Sequence, residues 1–309
     1  MSWFITALIA YFLISANLTL DKILLGKSIP NPVVYCFYMG VLSIFGLVFA
    51  PFGKVWTGGA NALFGIFVGL VFMVALYVLY EVLWRNEASR VGPAIGGLTP
   101  IFVSLLAIFF LGEKFGNLKA VAFILLVAGG LLISYQKGRE GIKSKKNGNL
   151  ETILMIFVSA FLFGVYYILL KSVFNGQNFV SGFVWTRIGS FLGGLLILLS
   201  AKNRKAIFGN AKTIKASSGG LLIANKTLSG VAFALLNYAI SLGSVSIINA
   251  MQGLQYVFLL GIVVFLSKKY PSLLKENIDK KSIFQKSFAI FLIFIGLFII
   301  AYKHRLGGI

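Results

Sequence analysis

The run ALFGIFVGLVFMVALYVLYEVL, residues 62–83, decides the fold: it holds one charge, Glu81, and is otherwise almost wholly apolar. An α-helix needs about 20 mainly apolar residues to cross about 30 Å of hydrocarbon. Lipid offers backbone N–H and C=O groups no partners, so a span must be a helix or part of a closed barrel. This run is too long and too evenly apolar for a barrel strand, which alternates over about ten residues.

Working outward, nine further runs qualify: residues 3–20, 33–50, 93–111, 118–135, 153–170, 179–199, 219–240, 245–266 and 283–302. The expectation is an all-α integral membrane protein with ten transmembrane helices. The whole chain agrees: of 309 residues, 59% are hydrophobic and 12% charged, and the mean hydropathy is +0.93. A soluble domain sits near 45–50% apolar and about 25% charged. A soluble enzyme, a disordered chain and a disulfide scaffold are therefore excluded. The start, Met1-Ser2-Trp3-Phe4, lacks a basic n-region, so the first run is expected to be a retained span.

The formal net charge is +20, from 28 Lys+Arg against 8 Asp+Glu. In a membrane chain such a surplus belongs to loops that meet anionic lipid head groups, and no nucleic-acid partner is expected. Cys36 and His304 are the single cysteine and the single histidine. They allow no internal disulfide and no zinc site, so no metal and no cofactor is expected.

Charge also orients the spans. Taking the N-terminal side as side A, its loops and the C-terminal end carry 6 Lys+Arg, while the side B loops carry 20. The positive-inside rule makes side B cytoplasmic and puts both termini outside the cell membrane.

Residues 137–151 form a basic linker loop bearing Lys137, Arg139, Lys143, Lys145 and Lys146. Five spans precede it (1–136) and five follow (152–309). At an offset of 149, Phe12, Leu13, Leu20 and Lys22 match Phe161, Leu162, Leu169 and Lys171; at 155, Leu105, Phe110, Leu111 and Lys114 match Leu260, Phe265, Leu266 and Lys269. An odd number of spans per half forces opposite orientations. The halves then read as two inverted five-helix repeats, a transporter plan with the site near the midplane.

Several residues stand out inside spans. In the fourth, Pro100 removes a helical hydrogen bond, and Gly96, Gly97 and Thr99 let a neighbour approach the backbone. This is a cavity lining or a tight helix contact. In the ninth, Ser246, Asn249, Gly253 and Tyr256 are spaced 3, 4 and 3 apart on one face, flanked by Gln252 and Gln255. They line a cavity or bond neighbouring helices. Arg187 and Lys226 lie inside spans seven and eight, as snorkelling side chains or as gating or coupling charges. Asn237 lies three turns from Lys226 on the same face. Glu81 enters from the same side as Lys226, and a Glu81–Lys226 pair across the cavity would form a gate. Tyr77, Trp84 and Trp185 suit an interfacial belt or a stacking surface.

The stretch Glu87-Ala88-Ser89-Arg90-Val91-Gly92-Pro93-Ala94-Ile95-Gly96-Gly97-Leu98-Thr99-Pro100-Ile101-Phe102, running on to Leu111-Gly112-Glu113-Lys114, resembles the EamA-type branch of the drug/metabolite transporter superfamily. Members carry a small-residue fourth helix with a central proline and a closing Leu-Gly-Glu. The second half departs from this, with Gln255 where Pro100 has its counterpart and Leu266-Ser267-Lys268-Lys269 in place of Leu-Gly-Glu. The resemblance implies a secondary transporter that moves amino acids or similar small polar metabolites outward, and it implies cytoplasmic termini, against the charge count. Glu113 would accept hydrogen bonds from a neighbouring helix terminus. A homodimer is compatible with this reading.

Enzyme signals are absent. Leu25-Gly26-Lys27-Ser28 imitates the end of a P-loop without its first glycine or a preceding strand, and no span holds two carboxylates placed for acid–base work. A membrane-embedded enzyme acting on lipid-linked substrates would need a carboxylate or histidine cluster. A scaffold or sensor would lack a water-filled cavity between the halves.

Overall fold

The computed structural model describes residues 2–25, 31–86, 88–134, 150–209, 219–269 and 280–305, and every element among them is helical. In chain order these are α1 (Ser2–Leu25), α2 (Pro32–Leu42), α3 (Gly59–Arg85), α4 (Ala88–Leu111), α5 (Asn117–Ser134), α6 (Leu150–Gly176), α7 (Phe179–Leu196), α8 (Ala201–Gly209), α9 (Gly219–Leu242), α10 (Val245–Ala250), α11 (Gly253–Lys269) and α12 (Lys280–Arg305). Eight stretches among the described residues are long and apolar enough to cross a membrane. The other two expected spans fall on α5, whose apolar stretch is shorter, and on α9. The linker expected over 137–151 lies almost wholly outside the described residues.

Three expected spans are not single α-helices, the seventh only because α7 ends in a short 3-10 turn, Ile197–Leu199. The second is α2 followed by a 3-10 helix, Ser43–Phe52. A 3-10 helix rises about 2.0 Å per residue against 1.5 Å for an α-helix, so the pair covers roughly 36 Å, enough for a crossing. The ninth is broken into α10 and α11 by a turn at Met251 and Gln252.

The chain packs as two compact units, and neither is a sequence half. The first holds α1, α5, α9, α10, α11, α12 and the last residues of α4. There α1 lies along α9 and α11, and α5 along α12 and α11. Small residues set the approach: a Cβ on Gly130 would sit 3.1 Å from the Gly253 Cα, and one on Gly129 2.9 Å from the Ala289 carbonyl oxygen. Asn17 on α1 donates to both the backbone and side-chain oxygens of Asn225 on α9, at 2.9 and 2.8 Å. Interhelical bonds of this kind contribute about 0.6–2 kcal/mol in lipid.

The second unit holds α2, the 3-10 segment, α3, most of α4, α6, α7 and α8. Here α3 packs between α6 and α7, and α2 lies on α7. The α3–α7 seam is glycine against backbone: a Cβ on Gly189 would meet the Ile66 carbonyl carbon at 2.7 Å. Val82, Val91, Ile95 and Ala160 form a buried cluster, with Phe102 and Leu79 around it. At one end, Ser181 donates to the Val55 carbonyl (2.7 Å) and Asn178 to that of Lys54 (3.0 Å), which ties the α2–α3 connection to the start of α7.

Candidate functional site

The nine expected site residues divide between the units. The first unit takes Asn237, Asn249, Gln252, Tyr256 and Lys226; the second takes Thr99, Pro100, Glu81 and Arg187.

In the first unit the broken ninth span is the central feature. The tightening is visible in the backbone: Gln252 N–H donates to Asn249 O, Leu254 N–H to Met251 O and Gln255 N–H to Gln252 O, each three residues back. The four-residue ladder would have sent Gln252 N–H to Ile248 O. That released carbonyl accepts the Tyr11 hydroxyl of α1 at 2.7 Å. One turn along α1, Ser15 donates to Gln255 O at 2.8 Å. Hydroxyls from α1 thus take up carbonyls at and beyond the break. Ser246, Asn249, Gly253 and Tyr256 were expected on one continuous helical face; they lie on both sides of the turn, and that expectation is corrected.

Asn249 is buried and its amide donates to Val245 O at 2.9 Å. Asn237 is 2% exposed, with its amide on Phe233 O and its side-chain oxygen without a hydrogen bond. Gln252, Tyr256 and Lys226 are half-buried.

Glu113 closes the Leu-Gly-Glu element, and it caps α10. Its Oε1 accepts Val245 N–H at 3.1 Å and its Oε2 the Ser244 hydroxyl at 3.0 Å, with the Lys119 ammonium 4.0 Å away. A carboxylate at a helix N-terminus satisfies orphan donors and meets the positive end of the dipole. Gly112, in the left-handed region at φ 63, turns the chain so that the glutamate arrives there.

In the second unit Thr99 and Pro100 are buried on α4. The Thr99 hydroxyl donates to Ile95 O, and α4 runs unbroken through Pro100. The helix break among the described spans lies in the ninth, which has no proline. Glu81 is bound by Arg85 one turn on, at 2.6 Å, and Arg85 also reaches Glu151 at 3.2 Å. Arg187 is 5% exposed, so it does not snorkel to the unit's surface. Its guanidinium lies over the rings of Phe72 and Phe183, at 5.2 and 5.5 Å. Trp185 donates to Val55 O at 3.0 Å, while Tyr77 and Trp84 are exposed on the unit's surface. Among the described residues no group of three metal-ligating side chains occurs.

Tyr11, Ser15, Asn17, Asn225 and Tyr166 were missed in the sequence. The spacing of Tyr11, Ser15 and Thr19, four residues each, was the available signal: it puts three hydroxyls on one face of α1.

Residues 1–135 match the EamA-like transporter family. Members of that family are membrane transporters and typically not enzymes, and the apolar helices make this chain a multi-pass membrane protein. A solved crystal structure is similar over 98% of this chain and 97% of its own, with a TM-score of 0.67 and 14% sequence identity. At that identity the likeness concerns the fold alone. No curated protein matches this chain.

Proposed function

We propose that the protein is a ten-helix secondary transporter that carries a small polar metabolite, an amino acid or a similar solute, outward across the cell membrane. It works by alternating access between two inverted five-helix halves. The observation that carries the reading is the broken ninth span, whose released carbonyl is held by an α1 hydroxyl. Discontinuous helices line transporter sites because their free backbone groups can face a polar solute.

The helix pairings support an inverted repeat. In the first unit α1 packs on α9 and α11. In the second, α6 packs on α3 and meets α4 through Phe102, whose ring lies 5.8 Å from Phe157 and 5.7 Å from Phe161. Exchanging each span for the one five places away turns the first pattern into the second.

Thr99, Pro100, Asn237, Asn249, Gln252 and Tyr256 line the route, and Glu81, Lys226 and Arg187 serve gating or coupling. The basic loops of side B contact anionic head groups. Single-cysteine labelling in a Cys36→Ser background tests the lining. Thr99→Cys and Asn249→Cys should each react with a membrane-impermeant thiol reagent from one side or the other. Protection of both from both sides, in protein that still moves its cargo, would overturn it.

A further inference from the structure

The seventh span ends in a corner. Its last residues form the 3-10 turn Ile197–Leu199, Ser200 is extended, and α8 begins at Ala201. Leu199 also closes the apolar stretch long enough to cross the membrane. α8 therefore starts at the level of the lipid head groups. A helix placed there, basic on one side and apolar on another, lies in the interface.

One side of α8 is fastened to the protein. Arg204 Nη1 donates to the Leu198 and Leu199 carbonyls at 2.9 and 3.4 Å, and Asn203 Nδ2 to the Ile197 carbonyl at 3.1 Å. Carbonyls at the end of a helix lack intrahelical donors, and these side chains supply them. Ile207 is buried, α8 packs on α2, and the Phe208 ring meets that of Phe37 edge-on at 6.3 Å.

The other side is basic. At 3.6 residues per turn, Lys202 and Lys205 stand next to each other, across the helix from Ile207. Both are exposed, and neither is in an ion pair among the described residues. The sequence supplies no acid for them nearby: no Asp or Glu occurs between Glu151 and Glu276. At the same corner Leu196, Leu199 and Phe208 are exposed. Two ammonium groups with apolar side chains at hand suit an anion that carries a hydrocarbon tail, and a wholly polar anion would leave the leucines unused.

We propose that α8 is a docking site for an anionic phospholipid, with the phosphate held by Lys202 and Lys205 and the acyl chains along Leu196 and Leu199. The site gives one address to the head-group contact of the basic loops and rests on that contact, not on transport. Purified full-length protein in neutral detergent is unfolded by heat with dioctanoyl phosphatidylglycerol, dioctanoyl phosphatidylcholine or inorganic phosphate. The anionic lipid raises the midpoint by mass action, and the other two do not. Lys202→Gln with Lys205→Gln weakens phosphatidylglycerol binding about thirtyfold, the effect of two basic side chains near an anionic surface. Lys143→Gln with Lys145→Gln, in the linker, removes the same charge and leaves the binding unchanged.

An equal shift with inorganic phosphate overturns the lipid assignment, and an equal shift with phosphatidylcholine overturns the need for net negative charge. Unchanged phosphatidylglycerol affinity in the Lys202, Lys205 variant overturns the site; both side chains are exposed, so this variant folds. Equal weakening in the two double variants also overturns the site and leaves the head-group contact spread over the basic loops. No shift with phosphatidylglycerol in the parent protein removes that contact together with the site.

Discussion

At the scale of single residues, Glu113 carries a load that its position in the chain hides. Its two oxygens take one backbone and one side-chain donor at the start of α10. Glu113→Ala should lower the unfolding free energy by about 1–2 kcal/mol, and Glu113→Gln, which keeps an acceptor, by less. Thermal unfolding in detergent checks this; coincident midpoints for wild type and Glu113→Ala would remove the capping role. Glu81 presents the opposite case, a carboxylate already held by Arg85. If it also gates with Lys226, then Glu81→Gln and Lys226→Gln each slow uptake into vesicles. The exchange Glu81→Lys with Lys226→Glu restores part of the rate. Full restoration is not expected, because the exchange sets a second cation beside Arg85. Two fully active single variants would sink the gate.

At the scale of elements, the α3–α7 seam depends on missing side chains. A methyl at position 189 would press on the Ile66 backbone at 2.7 Å, and backbone cannot rotate away. Gly189→Ala should destabilise by about 1–3 kcal/mol. Gly230→Ala, with open space around it on α9, should be neutral or slightly stabilising, since alanine favours helix. Equal unfolding midpoints in the two variants would show that the seam yields.

Much at this scale was legible in sequence. The spans could be read because twenty apolar residues in lipid leave the backbone one economical answer. The break in the ninth was not legible. No proline or cap marks Met251-Gln252, and the hydroxyl that takes the released Ile248 carbonyl comes from Tyr11, 237 positions away. Pro100 is the converse case: a packed bundle can re-satisfy what a proline frees, and α4 continues through it. Arg187 was readable as a charge in a span but not as a cation set on two rings, since Phe72 lies on a helix distant in sequence.

At the scale of the molecule, the charge count makes a prediction that the family resemblance opposes. With 20 basic residues on side B and 6 on side A, a reporter active only in the cytoplasm should be silent after Ile309 and active within residues 137–146. The reverse pattern would show that the basic loops sit outside.

The interleaving of the two units also has a consequence in time. Asn17 waits for Asn225, which is 208 positions later. At about 5–20 residues per second of synthesis, that interval is roughly 10–40 s. Ser15 and Thr19 can bridge it by bonding the carbonyls of Tyr11 and Ser15 on their own helix. Both Asn17 bonds among the described residues end on α9, so the newborn first helix spends those seconds in the bilayer before the ribosome has made the partner they need.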